Sequence, residues 1–358
     1  MKKYGIGIIG YGGFGEFSQK AWDKMDNACV VAVCDSDENR KPNGIAFYTS
    51  PEEILADPKV DIVSIATPPS SHKEIAIKAM KAGKHVLVEK PLALSQQDAL
   101  EIKSVSQETG KVASVNFILR YNPITDWLHE IISNEVFGKL RRIDLRNYAM
   151  QETVPEGHWF WNPEISGRIL LEHGVHFFDL ANYMVDSKAK EIWSTSADRK
   201  EGMEDRVFAV VNYENDVIGT FWHSFSRPRE LETTTFHFSF DLGEINMVGW
   251  IPLGLNIWGW TDKKGKKILN DLMGDVEEAK APVKSAKSAE FDYKIDYSIN
   301  VGVELEDEKM DVYAESLRLI MEDIITKIED PNYEMLVTLE DGIEAVRIAE
   351  QATKTVHP

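Results

Sequence analysis

The chain has 358 residues, enough for two domains, and its 43% hydrophobic and 28% charged content fits a water-soluble globular fold. A net charge of −19 argues against nucleic acid or an anionic membrane as partner. There is no apolar run of membrane-spanning length, Met1-Lys2-Lys3 opens no secretory leader, and Cys29 and Cys34 form no CxxC pair, so a reduced, cytoplasmic setting is expected.

In chain order, Val- and Ile-rich runs at Tyr4–Ile9, Val30–Cys34, Asp61–Ala66, His85–Val88 and Lys111–Asn116 read as strands. Helical patterns lie between them, at Ser71–Ala82 and at Ser95–Thr109, the latter with Ser95 at its start as N-cap candidate and Gly110 just past its end. Strand–helix alternation predicts a parallel sheet covered on both faces. The character changes after Tyr121-Asn122-Pro123. One helix is expected over Ile124–Asn134, then alternating strands at Lys139–Met150, Glu191–Ala197, Val207–Tyr213, Val217–Ser226 and Thr233–Phe240, interrupted by a helix at Arg168–Val185. Residues 262–307, with "DKKGKK" and "KSAKSAE", read as a solvated loop or hairpin insertion. Helices return at Lys309–Ile328 and Thr338–Thr353. The expected fold is α/β: a doubly wound parallel sheet over 1–121, then an α+β domain over 122–358 with a large open, mostly antiparallel sheet.

The first strand runs into Gly10-Tyr11-Gly12-Gly13-Phe14-Gly15, a G-x-G-x-x-G turn. Gly10 permits the tight turn, Gly12 lets backbone approach a pyrophosphate, and Gly15 lets the next helix sit close to the strand. Gly13 and Phe14 open that helix, whose N–H groups face the phosphates. Asp35 ends the second strand and can accept both ribose hydroxyls, which favours NAD over NADP. Arg40 and Lys41 stand close by, and NADP stays open as a second ligand.

"LLEHGVHFFDL", residues 170–180, concentrates Glu172, His173, His176 and Asp179. Glu172 and His176 are four residues apart and share one face of a regular helix. His176 suits a proton acceptor at neutral pH; a half-buried structural histidine is the alternative. Glu172 either binds a hydroxyl, orients the imidazole or complements the helix N-terminus. Asp179 either bonds His176 or caps a neighbouring element, and His173 is expected at the edge. A metal is not expected, since no further ligand is apparent. Gly174, costly inside a helix, suggests a close approach by ligand or backbone. Trp159 and Trp161 offer aromatic faces, Trp161 to a sugar ring.

Ala66-Thr67-Pro68-Pro69, His72, Val88-Glu89-Lys90-Pro91, Asn116, Arg120-Tyr121-Asn122-Pro123, Gly138-Lys139, residues 170–180 and "VTLEDGIEAVRIAE" at 337–350 occur in an order and spacing that resembles the glucose–fructose oxidoreductase / inositol dehydrogenase / MocA family. The resemblance covers nearly all of the chain except 262–307. It implies a Rossmann domain and an open-sheet domain, with the helix at 338–353 returning towards the first domain. It implies that Thr67, Pro68, His72, Glu89, Lys90 and Asn116 line the cofactor. It places Lys90, His176 and Glu172 at the reacting centre, with Arg120 and Trp161 beside the substrate, and implies a cis Lys90–Pro91 bond. The family usually has aspartate at the position of Glu172. The implied activity is NAD-dependent oxidation or reduction of a sugar, inositol or polyol by a homodimer or homotetramer. An NAD-dependent glycosidase and a non-catalytic NAD- or sugar-sensing regulator are the rival readings.

Overall fold

The computed structural model of the protein describes residues 3–150, 154–288 and 290–357. The Val- and Ile-rich runs form a six-stranded sheet from β1 (Tyr4–Ile9), β2 (Ala28–Cys34), β3 (Ala46–Tyr48), β4 (Ile62–Ile65), β5 (His85–Val88) and β6 (Ala113–Val115). Its order is β3-β2-β1-β4-β5-β6 and every pairing is parallel. The winding reverses between β1 and β4, and a crevice at such a reversal is where this sheet type holds ligands, beyond the carboxyl ends. β1 and β4 are buried at every position, as strands covered on both faces must be. The helix Gln96–Thr109 begins where Ser95 accepts from the Asp98 N–H and ends on left-handed Gly110, as its sequence predicts. The strand β3 was not expected; at three residues it is too short to carry a periodic signal.

The chain folds as two compact units. One holds Met1–Tyr121, Glu156–Asp179 and Tyr313–Thr353; the other holds Asn122–Pro155, Leu180–Val312 and Lys354–Pro358. Besides the helix at 338–353, expected to return to the first domain, two stretches beyond residue 121 belong with the first unit, 156–179 and 313–337. The reason is burial. Ile320, Met321, Ile324 and Ile325 of the helix Lys309–Glu329 complete the core around Tyr4, Ile6, Ile8, Trp22 and Leu87. The indole of Trp22 donates to the Leu317 carbonyl at 2.8 Å, fixing that helix against the first one.

In the second unit, β7 (Leu140–Met150), β8 (Ala189–Lys200), β9 (Met203–Tyr213), β10 (Ile218–Arg227), β11 (Thr233–Phe240), β12 (Gly243–Val248), β13 (Gly254–Thr261), β14 (Glu278–Lys280) and β17 (Tyr297–Glu304) build a nine-stranded sheet. The order is β14-β17-β13-β12-β11-β7-β10-β9-β8. All pairings are antiparallel except β7 with β10, so the sheet is mixed.

Residues 262–307 correct the reading as a loop or hairpin insertion. They hold a helix, Lys263–Met273, the sheet strands β14 and β17, and a hairpin of β15 (Ser285–Ser288) and β16 (Phe291–Lys294). Lys263, Lys264 and Lys267 are exposed, while Lys266 and Leu269 are buried, the Lys266 ammonium donating to Asn270 and the Val276 carbonyl, and Asp262 caps the start. The hairpin is tied down by Asp241, which accepts from Ser288 and Tyr293 at 2.7 and 2.6 Å and pairs with Arg141. Burial opposes its charge, but those bonds outweigh burial and hold the carboxyl at about 2.

One face of the large sheet stays open. Cross-strand register puts Trp193, Val210, Thr220, Asp144, His237 and Asn246 in one row across it. Trp193, Ile218, Val248 and Trp258 on this face are 53%, 45%, 51% and 51% exposed. Large exposed apolar groups clustered on one face mark a surface that takes a partner.

Candidate functional site

The glycine turn has the shape a dinucleotide needs. Gly10 sits at φ +95°, and a Cβ there would lie 2.5 Å from the Ala66 backbone. A Cβ on Gly15 would lie 2.5 Å from the Gly10 carbonyl oxygen. Neither position admits a side chain. The helix Gly13–Trp22 starts at Gly12 with no side-chain cap, so its first N–H groups remain available to an anion.

Asp35 stands beside that turn. Its carboxylate accepts from the backbone N–H groups of Tyr11 and Asp37, each at 2.9 Å, and from Arg40 Nη1 at 3.0 Å. Arg40 also lies over Gly12, 3.1 Å from where a Cβ would be. The loop thus presents an acid already capped by a cation at the ribose end. These residues fit an adenosine diphosphate moiety.

At the other end, Glu89 and Lys90 follow β5. The Lys90–Pro91 bond is cis, as the resemblance implies. Glu89 is enclosed; burial pushes its carboxyl up to about 7 against the opposing pull of Asn116 and Lys90. Asn116 donates to it through Nδ2, while the buried Asn116 Oδ1 has no hydrogen-bond partner among the described residues. An unsatisfied buried acceptor is costly unless a ligand or water fills it. Its presence here is the second feature that fits a cofactor.

Lys90 Nζ donates to the Glu172 carbonyl at 2.7 Å and to Glu172 Oε1 at 2.8 Å. The segment carrying Glu172 is not the regular helix expected over Arg168–Val185. Leu170–Gly174 is wound as a π-turn, and an α-helix follows at Val175–Val185. A π-turn takes a carbonyl off the regular ladder, and the Glu172 carbonyl is the one that accepts from Lys90. The sequence spacing could not reveal this, because an i→i+5 turn has no residue signature.

Gly174 does not mark a ligand approach. A Cβ there would meet Leu170 and Phe178 side chains at 3.2 and 3.3 Å, so the constraint is helix packing. His176 is buried, and burial, then Lys90 and His173, hold its pKa well below the ordinary value. His173 is held at about 3 by burial and then by Lys90. Its unfolded pKa lies near ~6.5, so the unfolded chain takes up protons first as pH falls. The native state therefore loses stability from about pH 6.5 downwards. His173→Gln is expected to lose less of its melting temperature than wild type between about pH 7 and pH 5, in thermal melts at matched ionic strength.

Three residues are placed otherwise than expected. His72 is fully buried, with Nδ1 2.7 Å from the Pro91 carbonyl and Nε2 2.8 Å from the Thr67 carbonyl. It joins the Thr67 turn to the Lys90 turn and leaves no ring nitrogen for a cofactor. Arg120 is only 6% exposed; its guanidinium bonds Asp179 through Nε and Nη2 at 3.0 and 2.6 Å, Asp341 at 2.9 Å and the Leu336 carbonyl at 3.1 Å. That network takes up the residue expected to bind substrate, and it takes up Asp179, which bonds Arg120. Trp161 lies in a short 3₁₀ turn, Trp159–Trp161. Phe160 is its buried member, and Trp161 packs edge-on against it at 5.0 Å, half-buried.

Thr67 and Pro68 stand at the end of β4, and the Thr67 hydroxyl lies 2.6 Å from that of Ser71. Tyr313, which no motif singled out, packs its ring edge-on against Phe17 with centroids 4.9 Å apart. It lies beyond the least readable stretch of the chain, within an ordinary amphipathic helix pattern. Among the described residues no group of three or more His, Cys, Asp or Glu side chains could hold a metal ion.

The comparisons with known proteins follow the same lines. Residues 4–117 match the model of an oxidoreductase family with an NAD-binding Rossmann fold, and 126–245 match the GFO/IDH/MocA C-terminal domain. The 1,5-anhydro-D-fructose reductase of Ensifer adhaerens is 33% identical over 51% of this chain and 56% of its own length. The myo-inositol 2-dehydrogenase of Thermotoga maritima is 28% identical over 61% of this chain and 68% of its own. The chain thus spans between about half and two thirds of these relatives. In fold it is similar to GenD2 from gentamicin A biosynthesis in complex with NAD, with a TM-score of 0.77 at 20% identity, covering 100% of this chain and 95% of that one. The glycine turn, Glu89-Lys90-Pro91, Glu172 and His176 all fall in one unit, the two family models together match more than half of the chain, and the chain belongs to the Gfo/Idh/MocA family of NAD-binding oxidoreductases.

Proposed function

We propose that the protein is an NAD-dependent oxidoreductase that transfers a hydride between the nicotinamide and a carbinol carbon of a sugar, inositol or related polyol. The observation that carries this reading is the Lys90–Glu172 pair beside His176, with Lys90 following β5 in the same parallel sheet whose β1 runs into the glycine turn. The bound dinucleotide supplies the hydride acceptor or donor. Everything else falls to the chain. Glu172 takes two directions of the Lys90 ammonium and leaves the third for a substrate oxygen. There Lys90 stabilises developing alkoxide charge. His176, kept neutral by burial, accepts the hydroxyl proton during oxidation and returns it during reduction. The names of the relatives, an anhydrosugar reductase and an inositol dehydrogenase, support the substrate class.

The test is an assay of purified protein with NAD and a panel of polyols, sugars and aryl glycosides. Growth of NADH absorbance is expected. Release of aglycone without NADH accumulation would instead point to a glycosidase, and binding without either product to a sensor.

The open sheet face is assigned to a second copy of the chain, as a homodimer or part of a homotetramer. Its apolar side chains recur along one registered face, which suits self-pairing by a two-fold. Trp193→Glu together with Trp258→Glu is expected to lower the sedimenting mass to that of a monomer, with the melting curve otherwise cooperative. A wild-type chain that already sediments as a monomer at micromolar concentration would remove this assignment. A cytoplasmic setting fits the reduced cysteines: Cys34 is buried, and burial followed by Asp35 pushes its thiol up to about 11.

A further inference from the structure

We propose that the cavity between the helix Gln96–Thr109 and the end of the helix Lys309–Glu329 is a second ligand site, for a small carboxylate with an apolar body. It goes beyond the cofactor and substrate reading above and does not depend on it.

The cavity holds about 420 Å³, the size of a small-molecule site. It lies at the other end of the first sheet from the glycine turn. His85 and Ala113, which line it, are the first residues of β5 and β6, whereas Glu89, Lys90 and Asn116 follow the last residues of those strands. Every lining residue belongs to the first unit. The wall from Pro331 to Leu336 is set without a ligand. Asp323 accepts from the Tyr121 hydroxyl at 2.6 Å and from the Leu336 N–H at 3.0 Å. Lys327 donates to the Pro331 and Tyr333 carbonyls at 2.7 and 2.6 Å. A site already in shape costs little ordering on binding.

The lining offers two chemistries. Val112, Ala113, Ile328, Met335 and Leu339 present apolar surface, which an apolar ligand body would remove from water. The charged lining is Lys103, Lys111 and Lys327 against one carboxylate, Glu340, an excess of cation within a chain of net charge −19. Glu340 takes up Lys103 at 2.6 Å. Lys327 spends two N–H directions on carbonyls and keeps a third. The Lys111 ammonium pairs with no described residue. A carboxylate has two oxygens, one for each of these remaining cations. Inorganic phosphate would meet the same cations but leave the apolar lining bare.

The probes are benzoate and hexanoate, with benzamide as the neutral counterpart and inorganic phosphate as the anion without an apolar body. Calorimetry and thermal melts of the full chain without cofactor, at matched ionic strength, read binding. Benzoate and hexanoate are expected to bind in the millimolar range or tighter and to raise the melting temperature. Benzamide and phosphate should do neither. Two variants test the place. Lys111→Gln should weaken benzoate about tenfold, the loss of one charge-assisted hydrogen bond. Gln107→Trp, at an exposed lining position, should block the cavity and abolish binding. Neither should change the melting temperature of the free protein, and if one failed to fold the other would decide alone. No binding of either carboxylate, or equal binding of benzamide or phosphate, would overturn the assignment. So would benzoate affinity that survives both variants, or that is lost in Lys90→Met instead, which would put the anion at the reacting centre.

Discussion

Lys90→Met is expected to lower turnover by about 10²–10⁴-fold while leaving NAD affinity within a factor of a few. Methionine has nearly the length of the lysine stem but cannot donate. It removes the group aimed at the substrate oxygen and also leaves Glu172 without its partner. His176→Asn should cost turnover on the same scale, because asparagine can occupy the space yet cannot accept and return a proton near neutral pH. The two losses should not add, since each residue acts on the same oxygen. Steady-state rates for both single variants and the double variant, with cofactor binding measured separately, check this. Full turnover in either single variant would refute the roles assigned to the pair.

The second large effect lies in the charged network at the foot of the His176 helix. Arg120→Met is expected to destabilise the fold by about 3–5 kcal/mol, because it leaves Asp179, 1% exposed, as a buried carboxyl without its guanidinium. Asp341 loses a partner as well, and with it part of the link between Arg120 and the turn at Thr338. Restoring neutrality should recover much of the loss: Arg120→Met with Asp179→Leu removes both charges at once. Denaturant midpoints of the single and double variants measure it. A single variant as stable as the wild type would show the network to be dispensable.

The sequence made the first sheet legible because its signals are local. A run such as Tyr4–Ile9, a turn of glycines and an acid at the next strand end all lie within one short window. Lys90, His176 and Glu172 were legible as a set only through the order of the motifs, since nothing local says that residues 82 apart in sequence will meet. What stayed hidden was hidden for particular reasons. Arg120 reads as a ligand-binding arginine in any sequence, and only its enclosure by Asp179, Asp341 and Leu336 shows otherwise. His72 keeps its place in the motif and changes its meaning, for both ring nitrogens already face carbonyls. The helix Lys263–Met273 was obscured by four lysines that read as solvated chain, although one of them, Lys266, is buried with its ammonium paired to Glu278 and the Val276 carbonyl.

The π-turn at Leu170–Gly174 behaves as a one-residue spacer within an otherwise continuous coil. Each residue advances an α-helix by about 100°, so removing one residue there would rewind the turn and swing everything ahead of it by about that angle. His176, behind the turn, would keep its station, and Glu172 would leave Lys90. His176 and the partner of the lysine can thus drift independently in a lineage through single insertions or deletions, with no change in residue identity at either position.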